Sequence, residues 1–176
     1  YDIYPKLFRP AGIRTEPGLC TAYGMYNLRE RCRQDNKVVL LVPVANIQDP
    51  ARTPIGMDKL RMLCQMYVGL IYGAKGLLYF SLANVVGPDA WDALQTICTR
   101  VEAFAPALLN GEIAQDIRYT PANFNPAEEK FPMINAAVFQ YPDGDYLLLA
   151  ANIVSHAVDT EFKIGGLQKA ARMFAA

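Results

Sequence analysis

Neither sign of charge is in excess. Lys plus Arg and Asp plus Glu number 17 each in a chain of 176 residues, so the sequence carries no electrostatic footprint for nucleic acid or an anionic bilayer surface. No apolar run reaches the length needed to span a membrane. Histidine is almost absent: His156 stands alone in a strand-like region with no cysteine near it, too few ligands for a zinc site. The four cysteines, Cys20, Cys32, Cys64 and Cys98, form no C-x-x-C pair. All four fall in segments with helical character and are expected as buried free thiols. One disulfide stays open, because spacing does not give connectivity. There is no internal repeat, no low-complexity tract and no cofactor motif. What remains is a chain 52% hydrophobic and 19% charged, able to form a sizeable core. It opens on "YDIYP", with neither an initiator Met nor a signal-peptide pattern, which predicts a piece of a longer protein.

The hydrophobic pattern alternates between two periods over the first 110 or so residues. Residues 1–5 read as the end of a strand stopped by Pro5, and 6–17 as a loop rich in Pro, Gly and Arg. Residues 18–34 carry Leu19, Tyr23, Tyr26 and Leu28 on an approximate helical stripe. "KVVLLVPV" (37–44) is a continuous β-branched run, which predicts a parallel strand buried on both faces. After the loop "ANIQDPAR", Thr53 can cap a helix with Pro54 at its first position. Leu60, Leu63, Cys64, Tyr67, Leu70 and Ile71 then recur at three and four, and Gly73 fits the C-terminal cap. "GLLYFSL" (76–82) predicts the next strand. A helix over 88–109 places Trp91, Leu94, Ile97, Cys98, Val101 and Phe104 inward, with Pro106 expected to kink or end it. The order β, α, β, α, β, α implies parallel crossovers.

Beyond Gly111 the helices stop. "EIAQDIRYT", "NAAVFQYPDGDYLLLAANIV" and "AVDTEFKIGGL" have strand character, and "PDGD" (142–145) signals a hairpin. Residues 1–111 and 112–176 are therefore expected as two units, a parallel α/β unit and an antiparallel β-domain. The polar connection 120–132 lies inside the second.

"IYGAKGLLYFS" (71–81) has the glycines and lysine of a phosphate loop but the wrong order. A phosphate site needs strand, glycines, then a helix start, whose free N–H groups and positive dipole end hold the anion. Here a helix comes first and a strand follows, so Lys75 lies among outward-pointing carbonyls at a negative dipole end. The same order assigns function to the opposite face, at the C-terminal ends of the strands. Those positions are Asp2 and Tyr4; Ala45, Asn46, Ile47 and Gln48; and Tyr79, Phe80, Ser81 and Asn84.

The Thr-Pro helix start, the long helix into "YGAKGLLYFS", the early Trp91 of the next helix and its late "FAPALLNG" resemble the last βα units of glycoside-hydrolase-like (β/α)8-barrel proteins. "DIYP" resembles the end of the sixth barrel strand in those proteins, and "YLLLAANIVSHAVDTEFKIGGL" resembles their C-terminal β-sandwich. The resemblance covers residues 1–111 moderately well and the tail more loosely. It implies that the three parallel strands are strands six to eight of a barrel. The remaining barrel segment would then come from the same or another chain. It further implies an extracellular or periplasmic protein that acts on a poly- or oligosaccharide. In the commonest clan of such barrels a nucleophile Glu ends strand seven and a second acid follows strand four. Strand seven here ends "VPVANIQD", without a Glu, which opens the alternative of a non-catalytic carbohydrate-binding or structural assembly protein on a degenerate barrel.

The candidate substrate contacts are Asp2, Tyr4, Asn46, Gln48, Tyr79 and Ser81, with Asp2 the best single catalytic candidate. Arg52 reads as a loop anchor, Trp91 as core packing, and Glu128 and Glu129 as a solvated face. Asp143 and Asp145 lack the spacing of a calcium loop. After the last parallel strand, "YFSLANVVGPD" offers no glycine-rich phosphate site, which disfavours a phosphosugar enzyme.

Overall fold

The computed structural model describes residues 17–35, 37–43, 59–79, 88–110, 117–121, 133–154, 156–164 and 171–175. In chain order the elements are α1 (Pro17–Gln34), β1 (Val39–Leu41), α2 (Lys59–Ile71), β2 (Ala74–Leu77), α3 (Pro88–Asn110), β3 (Ile117–Pro121), β4 (Ile134–Gln140), β5 (Tyr146–Asn152), β6 (Thr160–Ile164) and β7 (Ala171–Ala175). The expected strand at residues 1–5 and the helix start at Thr53 and Pro54 lie outside the described residues.

β1 and β2 pair in parallel, with α2 between them in sequence. Gly73 closes α2 at φ +86°, where its N–H binds the Leu70 carbonyl at 2.9 Å. β2 then starts two residues earlier than the sequence pattern suggests, inside "GAKG". Val39 pairs with Ala74 and Leu40 with Gly76, so Lys75 is the extra residue of a β-bulge.

The two faces of this small sheet differ. Val39, Leu41 and Ala74 are buried with Met25 of α1, and Leu77 packs against them. Val38, Leu40 and Leu78 are 69%, 51% and 65% exposed. Alternation puts these three on the other face together with Gly76, where an added Cβ would come within 2.9 Å of the Leu40 side chain. The sequence expectation of a strand covered on both faces is thus met on one face only.

α2 explains its own composition. It touches α1, α3, the β1–β2 sheet and, on the far side, β4 and β5. Surrounded in this way, it buries Met62, Leu63, Met66, Tyr67, Val68, Leu70 and Ile71 rather than one stripe. Gly69 lets the helix approach β1, because any Cβ there would collide with Leu41. α2 and α3 run side by side in the same direction: Lys59 meets Asp92 at 2.6 Å, and two turns on Arg100 donates to the Tyr67 hydroxyl at 2.8 Å.

Several inward assignments change. Leu60 and Trp91 are exposed, and Tyr26 is 41% exposed while Ala22 and Met25 take the inner face of α1. Leu60 and Trp91 stand in the first turns of α2 and α3, where apolar spacing continues beyond the packed stretch of the helix. Pro106 does not end α3, which runs on to Asn110. Proline there removes one amide donor, but Phe104, Ala107 and Leu108 on either side stay buried and hold the helix together.

The second half is mostly, not wholly, antiparallel. β4–β5 and β3–β6 pair antiparallel, but β7 joins β5 in parallel, an arrangement the sequence pattern did not suggest. The β4–β5 hairpin turns as expected at Pro142–Asp145. Gly144, at φ 90°, donates its N–H to the Tyr141 carbonyl at 3.0 Å, and Asp143 Oδ1 accepts the Asp145 N–H at 3.0 Å.

One apolar cluster joins the two halves. It runs from Met62, Met66 and Leu70 through Ile97 and Phe104 to Phe139, Leu147, Leu149 and Ile153. Polar contacts stitch the same boundary. The Tyr72 hydroxyl binds Asn135 Oδ1 at 2.5 Å, Tyr141 donates to the Ala103 carbonyl at 3.1 Å, and Asn110 to the Gln140 carbonyl at 3.0 Å.

Candidate functional site

Parallel strands give the α/β half of the chain unlike ends. At one end β1 and β2 finish and α2 and α3 begin; at the other lie the Gly73 turn and the last turn of α3. Lys75 belongs to the second end: its ammonium donates to the Leu108 carbonyl at 2.7 Å. That carbonyl is one of the last of α3, where a cation interacts favourably with the helix dipole. The bulge that displaces Lys75 from the ladder brings it there. "GAKG" thus places its cation against helix carbonyls rather than in an anion cradle.

Of the candidates expected at the strand ends, Asp2, Tyr4, Asn46, Gln48 and Ser81 lie outside the described residues, as do Arg52, Phe80 and Asn84. Tyr79 is described, and its ring packs against the shared core. Its hydroxyl is buried with no hydrogen-bond partner among the described residues. Burial, and secondarily the nearby Cys98 of α3, pushes its pKa well above the usual tyrosine value. In this position the hydroxyl turns into the helix layer, away from solvent.

The sequence reading missed Gln65. It is 1% exposed in the middle of α2, and neither its amide nitrogen nor its oxygen has a partner among the described residues. The signal was present as one amide in the apolar run "MLCQMYVGLI", but periodicity alone treats it as a surface residue. It lies one turn before Gly69, the contact point with Leu41, and therefore toward the strand-end side of the layer.

Tyr67 is buried beside Arg100, whose guanidinium also sits 5.7 Å from the ring centre. Burial raises the Tyr67 pKa, and Arg100 opposes the shift. The exposed Lys59–Asp92 pair ties the starts of α2 and α3 at this same end. Trp91 stands beside it in sequence and is 48% exposed.

Among the described residues no three His, Cys, Asp or Glu side chains are grouped to hold a metal. His156 is exposed. Cys32 and Cys64 are half-buried cysteines outside any disulfide, and Cys98 is exposed, not buried as its place in the helical stripe suggested. Cys64 directs its thiol at the Asn152 carbonyl, 3.6 Å away. Among the described residues no helix is long and apolar enough to cross a membrane. No family model, curated protein or solved structure matches the chain.

Proposed function

We propose that this chain forms the closing βα units of a (β/α)8 barrel with an attached β-sandwich-like unit, and that the barrel acts on an extracellular or periplasmic poly- or oligosaccharide. The observation that carries the reading is the parallel pairing of β1 with β2 around α2, with the turn, bulge and lysine of "GAKG" on the face opposite the strand ends. The apolar face at Val38, Leu40 and Leu78 supports it further. Parallel sheets are ordinarily covered on both faces, and in a barrel that second face is the packed interior. The remaining barrel segment, from the same or another chain, would supply that cover.

On this reading the sugar lies over the strand ends, with contacts from Asp2, Tyr4, Asn46, Gln48 and Ser81. Tyr79 acts from below, by its packing, since its hydroxyl is buried. A hydrolase needs two carboxylates flanking the scissile bond. Asp2 is the best single candidate this chain offers, and the partner acid would come from the remaining segment. The absence of a Glu in "VPVANIQD" favours the second reading, a carbohydrate-binding or assembly protein that kept the barrel without its chemistry.

Titration of the protein with a panel of oligosaccharides, alongside release of reducing ends from the matching polysaccharides, separates the two. Asp2→Asn should weaken binding or turnover more than tenfold, since a hydrogen bond to a charged group contributes about 1.5–3 kcal/mol. Lys75→Ala should leave both unchanged. Binding without release of reducing ends selects the non-catalytic reading. A large loss from Lys75→Ala with none from Asp2→Asn would put the site on the wrong face and end the proposal.

A further inference from the structure

We draw no further inference here: the strongest candidate, the apolar face of the β1–β2 sheet at Val38, Leu40 and Leu78, carries nothing beyond the barrel reading because nothing in the structure shows what covers it.

Discussion

Gln65 and Tyr79 are the two described residues whose buried polar atoms lack partners. A buried amide without hydrogen bonds costs about 1–3 kcal/mol relative to a satisfied one. Gln65→Leu should therefore stabilise the fold, raising the melting temperature by roughly 2–4 °C per kcal/mol gained in a chain of this size. Calorimetry on the variant decides the point, and a fall in melting temperature would mean that the amide is held by a group outside the described residues. Tyr79 gives a pH signature. Unfolded tyrosine loses its proton near pH 10, while burial holds the proton on folded Tyr79 well beyond that value. The stability that comes from keeping this hydroxyl neutral is complete below about pH 10 and is lost as pH rises above it. Tyr79→Phe should be at least as stable as the parent near neutral pH, because it too removes an unpartnered buried polar atom, and should lose less stability on the alkaline side. Parallel denaturant titrations at neutral pH and at about pH 11 measure the difference. Equal alkaline losses in the two proteins would place the ring in water. Neither residue's role was legible in the sequence: alternation and helical period assign a side, but not whether a polar atom on the buried side meets a partner.

α2 shows how far an element can be read from its residues. The helix, its glycine cap at Gly73 and its apolar character were all visible, because capping and periodicity are local. That elements pack on both sides of it was not visible, since one side depends on β4 and β5, more than 60 residues further along the chain by the Tyr72–Asn135 separation of 63. Gly69 is the sharpest case. In an isolated helix Gly→Ala gains about 1 kcal/mol of helix propensity. Here the added methyl meets Leu41, so Gly69→Ala should destabilise by about 1–3 kcal/mol in spite of propensity. Pairing it with Leu41→Ala should recover some of the loss, and a double-mutant cycle by chemical denaturation reads that coupling. Strict additivity would show that α2 and β1 do not touch at this point. Pro106 makes the opposite point. Local rules kink or end α3 there, yet it continues to Asn110 with Phe104, Ala107 and Leu108 buried around the proline.

At the scale of the molecule the division expected near residue 112 marks a change of secondary structure without a break in the core. Phe139 is 1% exposed in the cluster that also holds Tyr67, Phe104 and Leu70. Phe139→Ala should cost about 3–5 kcal/mol and lower the stability of helices and strands together. Thermal unfolding followed at a helix-sensitive far-ultraviolet wavelength and by aromatic near-ultraviolet signals should stay coincident in parent and variant. Two separated transitions, with only one displaced by the substitution, would establish independent domains instead.

The sequence by itself determined the alternation of helices and strands from α1 to α3, the orientation of "GAKG", the Gly73 cap and the β4–β5 hairpin. Each follows from interactions within a turn or between neighbouring segments. Only the tertiary structure decided the parallel partnership of β5 with β7, the exposure of Trp91 and Leu60, the burial of Gln65 and the apolar cluster shared by both halves. Those depend on which surfaces meet across long stretches of chain. A hydrophobic pattern records that a face is apolar, and burial is set by whatever packs against it.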